Sequence, residues 1–396
     1  MIVSKIMQGF PVAAGERVPF KDWDRAPWNR WSFQHIREIL PTAEVWRGSD
    51  PIWTLPEQPR ALDELRFDDA DGRRLSLNDF FASQYTDGLL VASRGTIVHE
   101  SYHNDMNPRS LHLSQSVAKS VTACVAGILV GQGLLDPQAK VTDYLPELEA
   151  TAYRGASLQD LLNMSSGVRY DESYEALDSD IALTDIASGW KPPRDGVEAP
   201  DCIWDQILTL TETERDHGEK FVYRSIETDV IAHCMERVSE TRLPDLISRE
   251  LWQPLGCEES ASFTVDSAGY ALACGGLSAC LRDYARVGLM LANGGRGNGR
   301  QIVPEDWVRD TWTSDNNMQD EERKRAFPNG GYRNQFWLRD VSTRVMMARG
   351  VFGQLIYVDP DLELVVVMLS SWPEFTSIDR TITVLNLIDA LAAELG

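Results

Sequence analysis

Ser116 and Lys119 form an S-x-x-K pair inside the run Leu113 to Leu135, which reads L-S-Q-S-V-A-K-S-V-T-A-C-V-A-G-I-L-V-G-Q-G-L-L. Residues three apart on a helix face the same way, so the hydroxyl and the amine can meet. Two fixed letters alone more often mark a turn of surface helix, but the flanks here argue otherwise. Lys119 is the only charged residue between His112 and Asp136, and it stands among Val117, Ala118, Val121, Cys124, Val125 and Ile128. A helix apolar on nearly all sides belongs inside a domain. Burial disfavours the ammonium form, so the Lys119 pKa is expected to fall toward that of a useful base. A serine near the start of such a helix also meets unpaired N–H groups and the positive dipole end, which favour a developing oxyanion. The chemistry this pattern can do is nucleophilic, with an acyl group carried on Ser116.

Such a nucleophile needs a second group to pass a proton to the leaving group, and donors for the tetrahedral oxyanion. Tyr223 stands just before a helical pattern, in Tyr223-Arg224-Ser225, and Ala348-Arg349-Gly350-Val351 ends one strand-like run where the next begins. A competing signature is His99-Glu100-Ser101-Tyr102-His103, which matches H-E-x-x-H. That motif holds zinc only on a helix. These residues read as strand, where the two histidines are spaced by about 13 Å, so no metal and no other cofactor is expected.

The elements that must position these groups are legible on both sides of the Ser116 helix. From Gly88 the runs L-L-V-A and T-I-V-H-E-S-Y, split by S-R-G, read as two strands and a tight turn. Near the other end, Gln335 to Arg339, Arg344 to Ala348 and the hairpin around D-P-D-L read as further strands. Ser377 to Leu395 carries Ile378, Ile382, Leu385, Ile388 and Leu391 on one face of a helix. The stretch between has helical patterns at Ile203 to Leu210, Ser225 to Val238 and Pro244 to Trp252, and no convincing strand alternation. The expected architecture is α/β (α+β): one antiparallel sheet from the two ends of the chain, flanked by helices. Residues 1–150 and 268–396 would form this α/β domain, and 151–267 a mainly helical insertion. The tryptophan- and proline-rich first 80 or so residues read as an arm over the body, with no chemistry visible in it.

A chain of 396 residues with 38 basic and 60 acidic side chains, net charge -22, is poorly suited to nucleic acid or an anionic membrane. The opening residues lack the apolar core of a signal peptide, and no run reaches the ~20 apolar residues of a spanning helix, so a cytoplasmic enzyme is expected. Its partner would be a small-molecule substrate, and the chain could pair as a homodimer. The six scattered cysteines form no C-x-x-C and read as free thiols.

Taken together, Ser116-Val117-Ala118-Lys119, Tyr223-Arg224-Ser225 and Ala348-Arg349-Gly350, with L-P-E-L, L-L-N-M-S-S-G, C-G-G-L-S-A, R-V-G-L-M-L and Y-V-D-P around them, resemble the serine hydrolases of the class C β-lactamase and penicillin-binding type. Within that superfamily the chain looks most like the 6-aminohexanoate-dimer hydrolases and related carboxylesterases. The resemblance implies a β-lactamase-like fold, Ser116 as nucleophile, Lys119 and Tyr223 as acid/base pair, and the backbone N–H groups of Ser116 and Val351 as oxyanion hole. It also implies Tyr174, Asp185 and Trp190 as substrate-binding residues; a loop packed by its own aromatics would look the same. The substrate would be a small linear amide or a carboxylic ester. Ala348 stands where penicillin-recognising members have Lys or His, and Ser225 where β-lactamases have Asn. Both departures remove groups that hold a β-lactam and its carboxylate, so a substrate with a cationic or neutral amine end is expected over one ending in a carboxylate near the scissile bond. Cys274 stands where the relatives carry a polar side chain. No G-x-S-x-G elbow is present, against an α/β-hydrolase. A carboxylesterase without amidase activity, a β-lactamase, and a catalytically silent binding protein of the same fold are the competing readings.

Overall fold

Two unbroken apolar runs, Leu89 to Ala92 and Leu364 to Leu369, are buried throughout, the pattern of strands covered on both faces. They pair side by side within the larger sheet of the computed structural model, which describes residues 5–315, 317–318 and 320–396. In chain order the strands of the two larger sheets are β1 (Thr42–Val45), β2 (Thr86–Ser93), β3 (Thr96–Tyr102), β4 (His112–Leu113), β5 (Ala261–Thr264), β6 (Leu277–Ala279), β7 (Gly331–Arg333), β8 (Phe336–Leu338), β9 (Met346–Gly350), β10 (Gln354–Asp359) and β11 (Leu364–Ser370). The larger sheet has the order β7-β8-β9-β10-β11-β2-β3 and every neighbouring pair is antiparallel. It is built from the two ends of the chain, as the sequence suggests.

A second sheet, β1-β5-β6-β4, departs from the expectation of a single one. Its strand β5 falls inside the stretch read as free of strands, and β4 has only two residues, too few to show alternation. Yet β4 delivers the chain to Ser116. His112 and Leu113 pair with Ala279 and Ser278, and the next residue, Ser114, donates from both its N–H and its hydroxyl to the Leu277 carbonyl.

Five helices frame or adjoin the Ser116 region: α1 (Val117–Gly131), α2 (Asp180–Ala187), α3 (Ile226–Ser239), α4 (Leu281–Ala292) and α5 (Ile378–Leu395). In α1 every residue from Val117 to Leu129 is buried, and it packs against α3 and β9. Helix α4 lies on β10, β11 and β2; a Cβ at Gly288 would stand 2.6 Å from the Val365 side chain, so glycine permits this close approach. No helix among the described residues is long and apolar enough to cross a membrane.

The N-terminal arm is fastened through Asp87, a fully buried carboxylate on β2. It receives Arg30 at 2.9 Å, Asn104 at 2.9 Å and the Ser371 hydroxyl at 2.7 Å, and lies 3.0 Å from His112 Nε2. One hub thus ties the arm, both sheets and the approach to Ser116 together. On β3 the side chains of His99 and His103 share a face and both lean onto the Ser101 hydroxyl, at 3.2 and 3.3 Å. Side-chain lean brings them closer than strand spacing alone suggests. The six cysteines are free and buried.

Candidate active site

Ser116 occupies the N-cap of α1, and its side chain caps no backbone N–H. The residue before it, Gln115, has φ 51°, a left-handed conformation uncommon outside glycine that turns the chain sharply from β4 into the helix. The hydroxyl is therefore left to chemistry. Lys119, 1% exposed, donates from Nζ to Ser116 Oγ at 2.9 Å and to the Cys274 carbonyl at 2.6 Å. Tyr223 adjoins this pair: Lys119 Nζ is 5.2 Å from the centre of its ring, and its oxygen acts on the proton equilibrium of Lys119. Trp337 stacks on that ring at 5.4 Å and fixes its plane. The three residues picked from sequence are brought together.

The electrostatics correct one expectation. Burial does push the Lys119 pKa down, but the Tyr223 oxygen, Cys274 and Glu172 push it up by more, and the net direction is upward. Burial also raises Tyr223, against the pull of Lys119. The resting pair therefore holds both its protons at neutral pH. An apolar helix says how dry a lysine is; it does not say which oxygens face it from other segments.

Gly350 explains the glycine of the third motif. A Cβ there would meet the Ser114 carbonyl at 2.4 Å and Gln115 Cβ at 3.0 Å, so β9 can run against the turn before Ser116 only without a side chain. This contact sets Val351, the next residue, beside Ser116 in the walls of two cavities. Among the described residues, the Ser116 N–H donates to no backbone carbonyl.

Ser116 lies between these cavities. The smaller, about 50 Å³, is lined by Lys119, Asp185, Trp190, Cys274 and Asp24; the larger, about 640 Å³, by Tyr223, Trp337, Arg349 and Phe375. Tyr174 lines both and stacks on Phe375 at 5.3 Å, its hydroxyl donating to Glu172 at 2.8 Å. Trp190 donates from Nε1 to the Thr264 hydroxyl at 2.9 Å and meets Trp23 edge-on at 5.1 Å, so it presents a fixed ring. The Asp185 carboxylate, on α2, accepts no hydrogen bond among the described residues. Burial, then nearby Asp24, push its pKa up to about 7, against the pull of Lys191.

Three contributors escaped sequence reasoning. Glu172 accepts from Tyr174 and from both the N–H and the hydroxyl of Ser225, joining the loop-rich stretch to the second motif. Asp24, in the arm that showed no chemistry, lines the smaller cavity and pairs with Lys191. Asp229, on α3, accepts from the Cys274 N–H at 3.3 Å and holds in place the residue whose carbonyl receives Lys119; burial pushes its pKa up to about 7. No spacing rule links these carboxylates to Ser116. Only Ser225, the polar residue two places after Tyr223, hinted at a partner.

A hydroxyl on a buried helix start, an amine and a phenol against it, and a glycine-bearing strand alongside define a serine hydrolase, and the chain belongs to the β-lactamase family, whose model, described as Beta-lactamase, matches residues 82–388. Among its relatives is the 6-aminohexanoate-dimer hydrolase of Paenarthrobacter ureafaciens, 35% identical over 367 residues that cover 92% of this chain and 91% of that one. A solved structure from Bacillus anthracis, provisionally described as a 6-aminohexanoate-dimer hydrolase, superimposes with a TM-score of 0.87 at 27% identity, covering 97% of this chain and 98% of its own. A family VIII carboxylesterase shares the fold, with a TM-score of 0.57 at 18% identity over 81% of this chain and 96% of that one.

Proposed function

We propose that the protein cleaves small linear amides of the 6-aminohexanoate-dimer type, and carboxylic esters, through an acyl-enzyme on Ser116. The observation that carries this is the Ser116 hydroxyl held by Lys119 Nζ at 2.9 Å, with the Tyr223 ring 5.2 Å from that Nζ and sharing a cavity wall with Ser116. Once the Lys119–Tyr223 pair has lost one proton to solvent, Ser116 Oγ attacks the substrate carbonyl carbon while its own proton passes to that pair. The oxyanion that forms is received by the N–H groups of Ser116 and Val351. The carbon–nitrogen or carbon–oxygen bond then breaks, the departing group takes a proton from Tyr223, and water releases the acid and restores the hydroxyl. Tyr174, Asp185 and Trp190 wall the acyl side, with Asp185 facing an ammonium. The same proposal places the enzyme in the cytoplasm, where six buried free thiols stay reduced, leaves it able to pair as a homodimer, and takes 151–267 as the inserted unit between 1–150 and 268–396. A pure esterase is the second reading, since Asp185 carries its proton through part of the neutral range and then offers an ammonium nothing.

The test is kcat/KM for short p-nitrophenyl esters, nitrocefin, and two linear amides of equal length, one with a free terminal amine and one acetylated, in wild type and Asp185→Asn. Esters and the free-amine amide should be cleaved and nitrocefin should not. The preference for the free amine should reach roughly tenfold, the size of one partly screened charge pair. It should grow as pH rises through about 7, because a raised carboxyl ionises only there. Equal response of both amides to Asp185→Asn, with ester hydrolysis intact, would leave the esterase reading standing alone.

A further inference from the structure

Arg349 is the middle residue of the third motif, and its side chain lines the larger cavity together with Tyr223 and Ser116. The guanidinium lies 4.6 Å from the centre of the Phe327 ring and 5.5 Å from that of Trp337, and donates to the Thr381 hydroxyl on α5 at 3.1 Å. Among the described residues it has no carboxylate partner. That is unusual in a chain with 22 more negative than positive charges, where most other arginines meet an Asp or Glu, Arg282 and Arg286 each meeting two. A half-buried guanidinium beside two aromatic rings and fixed by the Thr381 hydroxyl loses little freedom on meeting an anion with its planar fork. Burial, with Arg323 nearby, lowers its pKa to about 10, so it remains cationic at neutral pH. Arg323 and Lys220 line the same cavity; of its three acidic residues, Asp320 stands 4.0 Å from Arg323, Glu172 is held by Tyr174 and Ser225, and Glu322 is exposed to solvent.

The two cavities differ in which catalytic group they reach. Lys119 opens only on the smaller, and Tyr223 only on the larger. If Tyr223 hands the proton to the departing group, that group lies in the larger cavity, on the Arg349 side. We propose that Arg349 is a specificity residue that binds a carboxylate at the far end of the leaving group, so that the preferred substrates release an ω-amino or ω-hydroxy carboxylic acid. The loss of Lys or His at position 348 is then made good one residue later, from the opposite side of the strand: Ala348 points into the core, 3% exposed, and Arg349 into the cavity. With Asp185 across Ser116 in the smaller cavity, the site has one charge of each sign on the two sides of the scissile bond. The expected preference against a carboxylate near the scissile bond is a separate matter, since this carboxylate lies at the far end of the leaving group.

The inference rests on the acyl-enzyme reading, and its test separates the two. The substrates are butyryl esters of 6-hydroxyhexanoate and of 6-hydroxyhexanamide, which differ only in the charge at the end of the leaving alcohol. Wild type should favour the carboxylate by about tenfold or more in kcat/KM, mostly through KM, as a charge-assisted fork on a carboxylate would give. Arg349→Gln should bring the ratio close to one, and Arg349→Lys should keep part of it. A merely structural role would lower both substrates alike and leave the ratio unchanged. A wild-type ratio near one, or a ratio that survives Arg349→Gln, would overturn the assignment while the acyl-enzyme stands. A wild type that turns over neither ester, nor any p-nitrophenyl ester, would overturn the underlying reading and this inference with it.

Discussion

Lys119 and Tyr223 each sit in a place where burial and the partner oppose one another, and the balance raises both above their ordinary values. At neutral pH the pair is therefore fully protonated, and the form that can take the Ser116 proton appears only as pH rises. Ester kcat/KM should climb by about tenfold per pH unit through neutrality toward an alkaline plateau, with an apparent pKa that belongs to the pair. Lys119→Arg keeps the charge but cannot shed its proton, so activity should fall by roughly a hundredfold or more at every pH. A flat profile from pH 6 to 9, or an active arginine variant, would remove Lys119 from the proton path. These residues were legible because S-x-x-K, Y-x-S and the strand glycine lie at fixed local spacings. Glu172, Asp24 and Asp229 were not, because each reaches the site only through tertiary folding.

Strand β9 and the turn at Gln115 work as one unit, and Gly350 is the joint between them. Gly350→Ala would drive a methyl to 2.4 Å from the Ser114 carbonyl, so either β9 or the turn before Ser116 must move. Its φ of -126° is open to any residue, so the cost comes from space, not from backbone strain. Activity should drop by about a hundredfold or more, the worth of one oxyanion donor, with a stability loss of about 1–3 kcal/mol for overpacking. Thermal unfolding followed beside ester kinetics checks both, and a variant of wild-type activity would show that β9 does not set the Val351 N–H. Sequence patterns located β2, β3, β9, β10, β11, α3 and α5 well, since each has a long period or a clear turn. They missed β1, β4, β5, β6 and β7, because strands of two to four residues carry no period to read.

At the scale of the whole molecule, the two ends of the chain meet at β11 and β2 and build the sheet, while the Asp87 hub draws the arm onto it. That closure was readable from strands at both ends; the arm's share in the site was not, since Trp23 and Asp24 meet Trp190, Lys191 and the smaller cavity only in the folded chain. All of this serves to hold one hydroxyl at the start of a buried helix. The most direct test is intact mass after reaction with a fluorophosphonate, read beside p-nitrophenyl ester turnover, in wild type and Ser116→Ala. Wild type should gain a single adduct on Ser116 and lose its activity in step, while the alanine variant stays folded, gains no adduct and retains less than about a hundredth of the rate. An adduct on another residue, or an alanine variant that keeps more than that, would contradict an acyl-enzyme on Ser116.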